Sequence, residues 1–171
     1  MWGRQRRIQR LVRGLDVTLP APLTVHGLMS ALERARGRRI QLAAMTIDDQ
    51  TPCGLWVATA ETDYVLYDRG ASPVLQRHTI LHELMHIALR HTGEGVVPID
   101  GRLVDAFGAA GARVVLARSA ATFEHQQEHD AELLATYLGA RLNGGEQVGS
   151  FDQLGDDTAA VMYRIAATLT D

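Results

Sequence analysis

His82-Glu83-Leu84-Met85-His86 sits near the centre of an apolar run from Val74 to Leu89, and its residue types are the ones in this chain that could do chemistry. Two imidazoles and a carboxylate buried among aliphatic side chains cost several kcal/mol without partners, about 2 to 7 for each unsatisfied polar group. A metal ion is a partner that satisfies them. The i, i+4 spacing puts His82 and His86 one turn apart on one helix face, where both rings can reach the same tetrahedral ion. Glu83 points a quarter-turn away, free to hold a water. This is the H-E-x-x-H arrangement, in which the glutamate is the general base of a metal-dependent hydrolase rather than a ligand. With seven histidines and eight glutamates in 171 residues, such a motif arises by chance in about one chain in a hundred. Its setting and the remaining ligands must therefore carry the assignment.

A catalytic zinc takes three protein ligands and leaves a fourth position to water. His91 does not extend the motif to H-E-x-x-H-x-x-G-x-x-H, because the positions that need glycine and histidine hold Leu89 and Thr92. The other source is the stretch from Glu124 to Glu132, which reads EHQQEHDAE. Glu128 and Glu132 lie one turn apart on one face. Glu128 is thereby suited to bind the metal while Glu132 accepts the outer N–H of a ligand histidine. His125 and His129 form a second i, i+4 pair and stand as alternative ligands, with Glu128 preferred over His129. Without the motif at 82–86, the same stretch would read as a solvated helix start whose acidic residues suit the N-terminal dipole. For an oxyanion donor the candidates are Tyr137, His125 or an arginine between residues 102 and 118.

The elements that must position these residues follow from patterning. Ile8, Leu11, Val12 and Leu15 recur at helical spacing in residues 2–15, with arginines on the other face. Leu19-Pro20-Ala21-Pro22 is a connector, since proline removes a backbone donor. Thr24 caps a second helix from Val25 to about Arg36, with Val25, Leu28, Met29 and Leu32 buried, His26 outside that stripe, and Gly37 at its end. Alternation from Arg39 to Ile47 predicts a strand, and residues 48–52 a loop. Gly54–Ala60 and Tyr64–Asp68 predict a β-hairpin joined by Glu61-Thr62-Asp63. Ser72 and Pro73 open a helix running through the motif to about His91, closed by Thr92-Gly93 and apolar almost all round, as befits a central buried helix. Residues 93–101 read as a loop, and 103–110 and 112–118 as short helices. Glu124 to about Leu142 is a helix with Ala131, Leu134, Ala135 and Leu138 inward, ended by Asn143-Gly144-Gly145. A last helix begins near Asp156.

Composition narrows the function classes. The length suits one domain able to bury about two-thirds of its unfolded surface. The expected division is a helix and connector over 1–19, a core over 20–142 and a helical extension over 143–171. One cysteine, Cys53, leaves no disulfide framework and no cysteine-rich zinc site, and a reducing cytoplasm is the simplest home. No apolar stretch suits a signal peptide or a membrane span. All 17 basic residues are arginine, and the net charge of −3 argues against direct nucleic-acid binding. The clusters at Arg4, Arg6, Arg7, Arg10 and Arg13, and at Arg34, Arg36, Arg38 and Arg39, read as solvated helix faces rather than a phosphate site.

Four segments, Cys53-Gly54-Leu55-Trp56, Asp63-Tyr64-Val65-Leu66-Tyr67, HTILHELMHIALRH from His78 to His91, and EHDAELLA from Glu128 to Ala135, resemble the ImmA/IrrE-type metallopeptidases. The closer resemblance is to short actinobacterial members encoded beside repressor-like regulators, and it covers roughly residues 20 to 142. The last segment departs from the family's Ala-Asn/Asp, Phe-Ala and Leu-Leu-Met-Pro pattern, reading Ala131-Glu132-Leu133-Leu134-Ala135. The resemblance implies an α+β zincin-like domain in which a small sheet with a hairpin packs against the motif helix and a second ligand-bearing helix. It also implies Glu128 as the third ligand, Glu132 as an outer acid, and cleavage of a helix-turn-helix repressor as protein substrate. In that reading His82, His86 and Glu128 hold Zn2+, and Glu83 takes the proton of a water activated toward pKa about 7. An extended peptide would add to the hairpin as an edge strand. The alternative is a non-catalytic zinc-containing regulator or toxin-system component that binds a partner transcription factor.

Overall fold

A computed structural model of the chain describes residues 2–45, 54–59, 61–91, 116–118 and 125–142. The described elements are α1 (Trp2–Gly14), α2 (Val25–Arg36), β1 (Arg39–Met45), β2 (Gly54–Ala58), β3 (Thr62–Asp68), α3 (Pro73–Ala88), β4 (Leu116–Arg118) and α4 (His125–Gly139). They form a mixed α+β arrangement. The strands make one sheet in the order β1-β3-β2-β4, with β1 parallel to β3 and the other pairs antiparallel.

Local chemistry explains where the helices begin. The Thr24 hydroxyl accepts from the Gly27 N–H at 2.9 Å, and Gly37 ends α2 in the left-handed region with its N–H on the Glu33 carbonyl. The buried residues Val25, Leu28, Met29 and Leu32 are the stripe the spacing predicts, and His26 lies outside it. Ser72 caps α3, and Pro73 occupies its first turn, where a missing N–H costs nothing. One sheet face carries Ile40 and Leu42 from β1, Trp56 and Ala58 from β2, and Val65 and Tyr67 from β3. These residues share one apolar core with the inner faces of all four helices.

Several expectations change. The motif helix stops at Ala88, three residues before His91, and it is buried only from Thr79 onward. Val74 and Leu75 are 68% and 44% exposed, because the first turns of α3 project beyond the sheet-facing core. Residues 116–118 are a strand rather than helix: Leu116, Ala117 and Arg118 pair with Ala58, Val57 and Trp56. Both hairpin strands are therefore internal, and the outer strands among the described residues are β1 and β4. The hairpin also begins its second strand at Thr62, inside the expected turn; the Thr59 N–H and hydroxyl donate to the Thr62 carbonyl, and the Thr62 N–H donates back to the Thr59 hydroxyl. The expected loops at 48–52 and 93–101, the helix at 103–110, and everything from Asn143 onward lie outside the described residues.

The arginine reading changes too. Asp63 is fully buried, and it accepts from Trp56 Nε1 at 3.1 Å and from the Arg36 and Arg38 guanidinium groups at 3.3 Å. Arg36 also donates to the Ile87 carbonyl in α3, and Arg38 to the Thr59 carbonyl. These two arginines do not decorate a solvated face. They neutralise a carboxylate that ties α2, the hairpin and the end of α3 together. Arg7 likewise reaches across to Asp130 at 2.6 Å, docking α1 on α4. Among the described residues no helix is long and apolar enough to cross a membrane.

Removing Asp63 leaves two half-buried cations and an indole N–H without their acceptor. Asp63→Ala is expected to lower unfolding free energy by about 3 kcal/mol, measured by urea denaturation; a change within about 0.5 kcal/mol would show that the buried network contributes little.

Candidate metal centre

The long side of α3 packs along α4, which brings the two sequence stretches singled out for chemistry against each other. His82 and His86 lie one turn apart on α3, and Glu128 comes from the first turn of α4. Their ligand atoms all fall within 4.8 Å of one another. His82 Nε2 and His86 Nε2 are 3.0 Å apart, His86 Nε2 is 3.2 Å from Glu128 Oε1, and His82 Nε2 is 3.4 Å from Glu128 Oε2. Bond lengths of about 2.0 to 2.1 Å around a tetrahedral zinc ion separate its ligand atoms by about 3.3 Å. The separations lie near that spacing, with the two that reach Glu128 ending on different oxygens of its carboxylate.

The donor set itself calls for a cation. Glu128 Oε1 is buried and has no hydrogen-bond partner, although it lies within ion-pair distance of His86. His86 is 0% exposed. A neutral imidazole has one proton for two nitrogens, so two facing Nε2 atoms beside a carboxylate have more lone pairs than protons to share among them. A bound cation would satisfy all three, and the residues present fit one.

In the metal-free centre the carboxylates and imidazoles stabilise one another's charged forms. Burial would raise the Glu128 pKa, but the close approach of His82 and His86 outweighs it and holds the carboxylate at about 2. Burial would lower the His82 pKa, yet the Glu128 bond and the charges of Glu83, Glu128 and Glu132 raise it. The His91 pKa falls to about 4, by burial first and then by the charge of His86, so this ring is uncharged at neutral pH. Glu83 shows the opposite sign for a carboxylate. It is 5% exposed, and burial pushes its pKa to about 8, opposed by His82 and supported by Glu128.

What lies behind the three atoms completes the geometry. Glu132 Oε2 is 3.5 Å from His82 Nδ1 and 2.9 Å from His78 Nε2, and its other oxygen accepts from Thr136 Oγ1 at 3.1 Å. His86 Nδ1 has His91 Nδ1 at 3.1 Å. His78, Thr136 and His91 were not assigned from the sequence. His78 could have been found at i−4 from His82, whereas the place of His91 depends on how the chain leaves α3. His125 and His129 are both exposed, and neither joins the group of three. Tyr137 faces a groove of about 800 Å³ between α1 and α4, where it accepts from Arg141, so the structure does not bring it to the centre. Of the arginines between 102 and 118, only Arg118 falls among the described residues, in β4.

Gly54 closes the site from below. A Cβ at this position would lie 2.4 Å from Thr79 Cγ2 and 2.9 Å from Glu83 Oε1. Only a residue without a side chain lets β2 approach α3 closely enough to enclose the Glu83 carboxyl. Comparison with protein-family models, curated proteins and solved structures found no match.

Two measurements follow from this geometry. Gly54→Ala should cost about 1 to 3 kcal/mol by overpacking, read from thermal or urea unfolding, and an unchanged midpoint would mean that α3 can move away freely. In metal-free protein Glu83 holds its proton more tightly when folded, near pKa 8, than when unfolded, near 4.5. Its contribution to stability is therefore full below pH 4.5 and is lost as pH rises through 8. Metal-free Glu83→Gln should match the wild type near about pH 4 and exceed its stability by about 2 to 4 kcal/mol near about pH 9. Parallel pH profiles would contradict the burial of an ionisable carboxyl there.

Proposed function

We propose that the chain is a zinc-dependent peptidase of a zincin-like, ImmA/IrrE-type kind, acting on a protein such as a helix-turn-helix regulator. The observation that carries this reading is the triangle of His82 Nε2, His86 Nε2 and Glu128, with the buried carboxyl of Glu83 one residue along from the first of them. Two imidazoles and one carboxylate are a donor set that suits zinc with a fourth position left for water. A purely structural zinc would be closed by a fourth protein ligand. Among the described residues only three converge.

Zinc held there would lower the pKa of water toward about 7 and polarise a carbonyl oxygen. The chain's own residues supply the rest. Glu83 is raised toward 8 by burial in the metal-free protein, and a dication beside it would favour the ionised, proton-accepting form. Glu83 takes the proton of the water that attacks the peptide carbon and hands it to the departing amine nitrogen as the C–N bond breaks. Glu132, which bonds His78 and Thr136 and lies 3.5 Å from His82 Nδ1, would accept the outer proton of the His82 ring. A substrate strand that adds by backbone pairing would use β4 or β1, since both hairpin strands already have partners on each side.

Purified protein loaded with one equivalent of zinc should cut a helix-turn-helix regulator encoded beside it, detected by mass spectrometry of the products. Glu83→Gln is expected to keep stoichiometric zinc while cleavage falls by about 10²- to 10⁴-fold, and Glu128→Ala to lose most bound zinc. An intact regulator in a stable complex with zinc-loaded wild type would instead favour the binding reading, and undiminished cleavage by Glu83→Gln would remove Glu83 as the base.

A further inference from the structure

The end of α3 is built in an unusual way. After the C-cap Leu89, Arg90 has φ 55, a left-handed conformation that glycine adopts freely and a residue with a Cβ adopts only at a cost. Two backbone bonds hold the turn: the Arg90 N–H donates to the Ile87 carbonyl at 3.2 Å, and the His91 N–H donates to the His86 carbonyl at 3.0 Å. This is a Schellman closure, in which the chain folds back over its own last turn. Arg90 Nη2, 2.7 Å from Asp16 Oδ2, ties the turn to the segment after α1. The residue carried back over the helix end is His91. Its ring meets His86 edge-on, with centroids 5.0 Å apart, planes at 73° and the two Nδ1 atoms 3.1 Å apart.

His86 faces His82 and Glu128 through Nε2. If that nitrogen offers its lone pair, the single proton of the ring sits on Nδ1. The Nδ1–H then donates to His91 Nδ1, and the proton of His91 sits on its own Nε2. We infer that His91 is a positioning residue for the metal centre: it accepts the outer proton of His86, and so fixes the tautomer and ring plane that aim the His86 Nε2 lone pair at the cation. The left-handed turn at Arg90 is what delivers it. His91 is not itself a ligand, because the nitrogen it meets is the far one of His86 and it falls outside the group of three. The two ligand rings are thus held by different chemistry. A carboxylate at the exposed edge stands behind His82, and a second imidazole stands behind the fully buried His86.

This inference rests on the metal-centre reading of His82, His86 and Glu128, and two readouts separate them. The first is zinc affinity by competition with a chromophoric chelator. His91→Phe, which keeps a ring but has no acceptor, should bind zinc about 10- to 100-fold more weakly. His91→Gln, whose side-chain oxygen can accept the same proton, should recover most of that loss. Wild-type affinity in a folded His91→Phe protein, or no recovery by His91→Gln, would overturn the assignment. The second readout is the proton position on His86 in metal-free wild type, from long-range proton–nitrogen correlation spectra of the imidazoles. A proton on Nδ1 is expected, and one on Nε2 would overturn the inference. That spectrum decides the role of His91 even if His91→Phe does not fold, or if the wild type binds no zinc and the metal reading itself fails.

Discussion

Three electron-rich atoms, two imidazole nitrogens and a carboxylate oxygen, are held within a few ångströms of one another at the junction of α3 and α4, largely out of water. Much of the described structure can be understood as what makes that crowding tolerable. Like-charged or lone-pair-bearing groups placed so close repel unless protons or a cation lie between them, and a low-dielectric setting strengthens the effect. Protons play that part in the metal-free centre: the histidines hold Glu128 ionised at about 2, the neighbouring carboxylates raise His82, and burial first of all keeps His91 uncharged. A divalent cation would take the place of those protons.

The scaffold around the centre is organised to keep these groups from moving apart. α3 packs along one side against α4, which buries Leu134, Ala135 and Leu138 in the shared core, and from beneath against the sheet, where Gly54 allows β2 to approach the Glu83 carboxyl. At its far end the helix is pinned by Arg36, which donates to the Ile87 carbonyl while also pairing with Asp63. The Asp63 network is thus one link from the last turn of α3, and that turn returns His91 to His86. Structural charge pairing and site geometry share the same few residues.

At Glu83 burial outweighs the opposing charge of His82. The Glu83 pKa rises because water is excluded, and Gly54 is part of what excludes it. A carboxyl kept near 8 is costly to folding when ionised. The first turns of α3 behave differently: Val74 and Leu75 are exposed, so the helix is an anchor at its C-terminal half and a protruding arm at its start.

Helix starts and ends set by local chemistry were legible in the sequence, since Thr24, Gly37, Ser72 and Pro73 act within a few residues of themselves. So were the inward faces of α2 and α4, which follow from a period of 3.6 residues, and the i, i+4 pairing of His82 with His86. The proximity of Glu128 to those histidines was legible only as a chemical expectation, because nothing in a one-dimensional pattern says which two helices will lie side by side. Packing alone decided the rest. Arg36 and Arg38 look like surface residues until the sheet places Asp63 between them, and the hairpin looks like an edge until residues 116–118 pair with it. His91 looks like a failed ligand until a left-handed turn carries it behind His86. Sequence specifies interactions that span one helical turn or one strand alternation; contacts between residues far apart in the chain arise from how the elements assemble, and the outer support of this centre is made of such contacts.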